Sequence, residues 1–256
     1  MDGIHTTQLP GCHYQIIKTE ITWRKKMSEH GFFNMDCMVG MGQYPDKYFG
    51  LAIVDPPYGI GESGEKNHTR SNLIKAKDYK SYTGNDKEPP SKEYFHELFR
   101  VSKNQIIFGA NHFISRIPYD SHCWIVWDKD NGANDFADCE LAWTSFKTAI
   151  RKYRYRWHGM MQEHMDNKEY RIHPNQKPVA LYEWLLDKYA KAGDTILDTH
   201  VGSASSLVAC RNRGYKYVGF EINRYYFDLA NKRLKEAEAQ WNIFDYPEAI
   251  PESMKK

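Results

Sequence analysis

An acid, two prolines and an aromatic ring, Asp55-Pro56-Pro57-Tyr58, follow directly on the apolar run Leu51 to Val54. That run has the length and residue types of a strand buried on both faces, and open α/β sheets bind ligands just outside the carboxyl ends of such strands. Each proline fixes φ and removes an N–H donor, so the chain cannot continue a ladder and its carbonyls stay free to accept. The Asp55 carboxylate and the Pro56 carbonyl are thereby placed to accept the two hydrogens of one –NH2 group, while Tyr58 offers a face to a planar base. Two acceptors on an exocyclic amine favour localising its lone pair, which then attacks a positioned sulfonium methyl in line. Orientation and electrostatics supply the rate, and no covalent intermediate is needed. Asp-Pro-Pro by itself reads equally as a turn with a solvated acid; the strand before it and the tyrosine after it favour the chemistry.

A second pair of acids lies downstream. Thr195-Ile196-Leu197-Asp198 reads as a strand ending in an acid, followed by Thr199-His200-Val201-Gly202-Ser203-Ala204-Ser205, whose small residues let a ligand approach the backbone. A further strand ends in Gly219-Phe220-Glu221, placing a second acid about twenty residues on, the spacing at which dinucleotide folds hold a ribose. A nucleoside-containing cofactor is implied. The full Gly-x-Gly-x-x-Gly and the Walker Gly-Lys-Ser/Thr are both absent, so an acid without a pyrophosphate loop suits S-adenosylmethionine better than NAD.

The elements that must hold these residues alternate. Strands are expected at Gly31 to Met35, Leu51 to Val54, Gln105 to Phe108, His122 to Trp127, Thr195 to Leu197 and Tyr217 to Phe220. Helical periodicity runs through Tyr94, Leu98 and Val101, through Leu181, Leu185, Leu186 and Tyr189, over Leu207 to Arg213 and over Tyr226 to Ala237. Strands alternating with helices predict a doubly wound α/β sheet. Gly40-Met41-Gly42 reads as a turn. Two stretches break the pattern, 59–90 and 132–176, and are expected to be long substrate-contacting loops, which for a nucleic-acid substrate means DNA-contacting loops or a small target-recognition insertion, carried by a single domain spanning 1–256.

Within the second stretch, Lys147, Arg151, Lys152, Arg154 and Arg156 are interleaved with Phe146, Tyr153, Tyr155 and Trp157, with no acid among them. This is either an electrostatic footprint for phosphates or a solvated edge strand. The whole-chain net charge of +2 decides nothing between them. Five cysteines without a Cys-x-x-Cys pair argue against disulfides and a zinc ribbon, and His5, Cys12 and His13 lack a fourth ligand, so no metal is expected. No proline precedes a cysteine, which excludes the thiol nucleophile of cytosine-C5 chemistry. No apolar run approaches the ~20 residues of a membrane span. The first residues carry no secretory pattern, so a cytoplasmic location is expected.

Taken together, these residues resemble the amino-methyltransferases of DNA, in the class whose catalytic motif precedes its cofactor motif. Asp55-Pro56-Pro57-Tyr58 is similar to their catalytic tetrad, and His173-Pro174-Asn175-Gln176-Lys177-Pro178 to the segment leading into their cofactor pocket. Asp198 to Ser205 is similar to their methionine-binding loop, Glu221 to their ribose-binding acid, and Asn34-Met35-Asp36 to the acidic position closing the adenine side. The resemblance runs from about residue 30 to residue 236. It implies a Rossmann-like methyltransferase sheet with permuted motif order and S-adenosyl-L-methionine held by Asp36, Lys177, Asp198, His200, Gly202, Ala204 and Glu221. It also implies catalysis by Asp55, Pro56, Pro57 and Tyr58 on a base flipped from double-stranded DNA, for which the basic residues Lys147, Arg151, Lys152, Arg154 and Arg156, read from their own charge, are the expected DNA contacts. An Asp at the first tetrad position resembles the adenine-N6 members rather than the cytosine-N4 ones. A restriction-modification setting is an expectation of the resemblance; a cognate restriction enzyme and a homodimer are compatible partners that the sequence does not name. In the loop, Thr199, His200 and Ala204 stand where the family has Pro, Phe and a second Gly.

Overall fold

The computed structural model describes residues 28–61, 86–132, 137–158 and 161–245. Residues 62–85, the greater part of the 59–90 stretch, lie outside the described residues, as do His5, Cys12 and His13. In chain order the strands are β1 (Gly31–Phe33), β2 (Phe49–Val54), β3 (Ser102–Phe108), β4 (Trp124–Asp128), β5 (Cys139–Thr144), β6 (Arg151–Arg154), β7 (Trp157–His158), β8 (Met161–Gln162), β9 (Thr195–Asp198) and β10 (Lys216–Phe220). The helices are α1 (Cys37–Met41), α2 (Lys92–Val101), α3 (Val179–Tyr189), α4 (Ser205–Asn212) and α5 (Arg224–Asp245).

Eight strands form one sheet in the order β1-β10-β9-β2-β3-β5-β4-β6, and β7 pairs with β8 in a separate hairpin. Every neighbour pair in the large sheet is parallel except the two made by β5, which runs antiparallel to both β3 and β4. From β2 the chain moves by way of α2 to β3 on one side, and from β9 by way of α4 to β10 on the other. Strand order therefore reverses between β2 and β9, and their carboxyl ends, Asp55 and Asp198, flank the crevice where open α/β sheets take ligands.

Alternation along β2 sorts its side chains onto two faces. Ala52 and Val54 join Tyr94, Phe95, Leu98 and Val101 of α2 in one core, and Leu51 and Ile53 join Leu181, Leu185 and Leu186 of α3 in the other. All six expected strands and all four expected helices form. The 132–176 stretch differs from expectation: it supplies β5 and β6 to the main sheet as well as the β7–β8 hairpin. Only the second half of β5 is buried, so Cys139 and Glu140 mask a strand whose apolar signal is confined to Leu141, Ala142 and Trp143. Gly40-Met41-Gly42 also differs: Gly40 and Met41 belong to α1, and a Cβ on Gly40 would lie 2.4 Å from the Phe220 ring.

Candidate active site

Asp55 leaves β2 half-buried with its two oxygens divided between partners. The Tyr58 hydroxyl donates to Oδ1 (2.7 Å) and Lys177 Nζ donates to Oδ2 (2.5 Å). Tyr58 can turn back on Asp55 because its own N–H and that of Gly59 are held by the Asp86 carboxylate (2.7 and 3.0 Å). Space for the ring comes from Gly109, left-handed at φ 66°, where a Cβ would lie 2.1 Å from the tyrosine. The His112 ring stacks on Tyr58 with centroids 5.1 Å apart and 16° between planes.

Lys177 is 5% exposed and is shared between Asp55 and Glu140, whose Oε2 is 3.0 Å from Nζ. The other Glu140 oxygen takes Lys129 at 2.5 Å. Glu140 reaches this point because β5 is reversed: its amino end lies at the edge where its neighbours have their carboxyl ends. Burial alone would raise the Glu140 carboxyl, but Lys177 and Lys129 outweigh it and bring it down to about 2. Burial raises the Asp55 carboxyl against the pull of Lys177. Burial also works against the Lys177 ammonium, yet its two carboxylate neighbours hold it above the usual lysine range. Lys177, expected among the cofactor residues, is thus placed with Asp55 and Tyr58.

The second acid pair shapes a loop. Asp198, 2% exposed, accepts from the His200 N–H (2.9 Å) and from the Ser206 hydroxyl, tying both ends of the 199–205 turn to the end of β9. Ala204 takes the left-handed conformation at φ 63°, at a cost of about 1–2 kcal/mol that a glycine would not bear. His200 lies edge-on to Tyr94 (5.5 Å), and burial lowers its imidazole to about 4, so a neutral ring stands where the family has Phe. Glu221, half-buried at the end of β10, accepts from the N–H groups of Gly202 (2.9 Å) and Asn223 (2.7 Å). Asp36 caps α1 through the N–H groups of Met38 and Val39, and Asn34 donates to the carbonyls of Glu221 and Ile222, joining the ends of β1 and β10.

Burial pushes the Asp198 carboxyl up to about 7 in spite of its donors Ser206 and His200. An unfolded Asp titrates near 4, so between about pH 4 and pH 7 the folded protein keeps a proton that the unfolded chain has lost. Stability from this group therefore falls as pH rises through that window. Asp198→Asn, which cannot ionise, is expected to raise the melting temperature of the ligand-free protein by several degrees at pH 8 and by much less at pH 5. Equal shifts at the two pH values would show an ionised Asp198 throughout.

The basic stretch divides. Registers Ile125↔Arg151 and Asp128↔Arg154 put Arg151 at the amino end of β6, and Lys147 follows the carboxyl end of reversed β5, so both lie at the sheet edge opposite Asp55. Lys152 pairs with Asp128 (3.2 Å), and Arg154 and Arg156 both pair with Asp130 (2.7 and 2.6 Å). The acids missing from the stretch itself come from the end of β4. Tyr153 and Tyr155 stack on each other (5.9 Å), and Tyr153 packs on Trp184 of α3 (4.9 Å).

Sequence reasoning missed Glu140, Lys129 and Asp86, and also Arg233, which donates to the Ser203 carbonyl (2.8 Å), the Ser205 hydroxyl (2.9 Å) and Glu169 (2.7 Å) beneath the loop. None of these carries a local motif. A partly buried acid on a short strand was the one available signal, and Glu140 shows it only once β5 is seen.

A family model described as DNA methylase matches residues 66–232. The match begins after Asp55–Tyr58 and takes in Glu140, Lys177, Asp198 and Glu221. Two relatives are the type II methyltransferase M.HpaI of Haemophilus parainfluenzae, 27% identical over 80% of this chain and 72% of the relative, and the type II methyltransferase M.HinfI of Haemophilus influenzae, 22% identical over 81% and 68%. The fold is similar to that of a candidate DNA modification methylase of Thermus thermophilus solved with S-adenosyl-L-methionine (TM-score 0.52, 18% identity, 81% of this chain and 95% of that one). It is likewise similar to the cytosine-N4-specific PvuII DNA methyltransferase (TM-score 0.52, 10% identity, 85% and 93%). With the family model covering more than half of its length, the chain belongs to the N6/N4 DNA methylase family.

Proposed function

We propose that the chain is a site-specific DNA methyltransferase that transfers a methyl group to N6 of adenine. The observation that carries this reading is the Asp55 carboxylate, seated with Tyr58 at the end of β2 where strand order reverses, one strand from the Asp198 loop. S-adenosylmethionine, the cofactor, supplies an electrophilic methyl group on a sulfonium. The residues fit it. Glu221 keeps lone pairs beyond those given to Gly202 and Asn223, which suits two ribose hydroxyls, and Asp36 and His200 lie on the same side. Asp198 acts by shaping the 199–205 loop.

Asp55 and the Pro56 carbonyl accept the amine hydrogens and face the nitrogen as it gains positive charge, and the Tyr58 ring supports the base. A base inside a duplex cannot reach these groups, so double-stranded DNA binds with its target nucleotide extruded, at a cost of a few kcal/mol offset by contacts to the flanking duplex. Arg154 and Arg156, at the Asp55 edge, are better placed for such contacts than Lys147 and Arg151.

Adenine is favoured by Asp at the first tetrad position and by the larger face a purine presents to Tyr58. Treating duplex DNA with the protein and S-adenosylmethionine, digesting it to nucleosides and weighing them is expected to yield N6-methyladenine. Dominant N4-methylcytosine would overturn the choice of base and leave the amine chemistry standing; no methylated amine from protein that binds the cofactor would overturn both.

A further inference from the structure

The Asp55–Lys177 contact conflicts with the role of Asp55. A carboxylate that must accept from a target amine and stabilise its growing positive charge carries instead, at 2.5 Å, a lysine ammonium. That ammonium is a hydrogen-bond donor in the place of the amine, and it would repel the same developing charge. It cannot escape to water. Lys177 is 5% exposed, with Nζ 4.9 Å from the centroid of the Phe108 ring and 5.6 Å from that of Tyr58.

A second anion stands within reach. Glu140 Oε2 is 3.0 Å from Nζ, and Lys129 keeps Glu140 ionised from its other oxygen. Two carboxylates and two ammoniums close the local charge balance. A small rotation of the Lys177 side chain moves its ammonium from a pair shared between two acids to a pair with Glu140, without taking a charge through apolar surroundings.

We propose that Glu140 is a positioning residue that receives the Lys177 ammonium when the target amine arrives, so that Asp55 meets the amine as an unpaired carboxylate. This rests on the reading of Asp55 as the amine acceptor. Lys177 then has two states: it neutralises Asp55 while the site is empty, and it withdraws to Glu140 when the base enters.

A double-mutant cycle tests it, using the full chain, duplex DNA and labelled S-adenosylmethionine under single-turnover conditions, with cofactor affinity measured by calorimetry for each variant. Glu140→Gln leaves Lys177 with Asp55 as its only anion and is expected to slow transfer roughly 100-fold while cofactor affinity stays within about twofold. Adding Lys177→Met removes the competing ammonium, and the double variant is expected to be about tenfold faster than Glu140→Gln alone. A double variant no faster than Glu140→Gln, a Glu140→Gln rate near wild type, or a loss of cofactor affinity in parallel with rate would each overturn the proposal while the amine reading stands. Wild-type protein that methylates neither base would overturn the amine reading and the proposal with it.

Discussion

Replacing Asp55 with alanine is expected to lower the methyl-transfer rate by roughly 10³-fold while leaving the affinity for S-adenosylmethionine within about twofold. Asp55 is assigned to the incoming amine, and the loop assigned to the cofactor is built from Asp198, Gly202 and Glu221 on β9, β10 and the turn between them. The variant should fold, because the Lys177 ammonium keeps Glu140 at 3.0 Å and is not left as an unpaired buried charge. Asp55→Asn offers a closer probe: its shape is kept and the negative charge removed, so a comparable loss of rate points to charge rather than packing. Single-turnover rates and calorimetry on the same preparations separate the two effects. Transfer near the wild-type rate in Asp55→Ala would remove Asp55 from the chemistry.

Glu221→Gln is expected to do the reverse, weakening S-adenosylmethionine binding by about 10- to 100-fold with a smaller effect on the rate at saturating cofactor. Hydrogen bonds from ribose hydroxyls to a charged acceptor are worth about 1.5–3 kcal/mol each, and each 1.4 kcal/mol is tenfold in affinity. The amide also presents a donor where Glu221 now accepts from the N–H groups of Gly202 and Asn223, so part of the loss comes from loosening the 199–205 turn. Asn34 holds the neighbouring backbone of Glu221 and Ile222 from β1, which keeps the end of β10 in place and confines the change to the carboxylate. Titration calorimetry reads the affinity directly, and an unaltered dissociation constant would place the ribose elsewhere.

Much of the site was legible because each part is written in a short run of chain. Leu51 to Val54 followed by Asp55-Pro56-Pro57-Tyr58, and Thr195 to Asp198 followed by small residues, are strand ends whose apolar character and terminal acid lie within a few residues of each other. The alternation of such strands with amphipathic helices limits the fold to a doubly wound sheet, and that architecture puts strand carboxyl ends on one edge. Lys177 was singled out from its segment as a cofactor residue, and its pairing with Asp55 and Glu140 was not legible there. Arg151 to Arg156 carried an ambiguity that sequence could not resolve, since an alternation of Arg and Tyr is the same on a DNA-facing surface and on a sheet edge. Asp128 and Asp130, which pair with three of these side chains, come from another strand and the residues just beyond it.

Local periodicity and chain connectivity suffice for the class of sheet, the two acids at its central strand ends and the order in which the motifs occur. What surrounds them depends on how the sheet is assembled. Lys177 and Asp55 are 122 residues apart, Tyr58 and Glu140 are 82 apart, and Asp86 holds Tyr58 across 28. Contacts at such separations are set by how strands are ordered and which one is reversed. A single antiparallel strand, β5, brings Glu140 to the edge that holds Asp55, and a strand of either direction would show the same alternation of side chains. Direction and neighbour are properties of the assembled sheet, and they give Lys177 its second carboxylate.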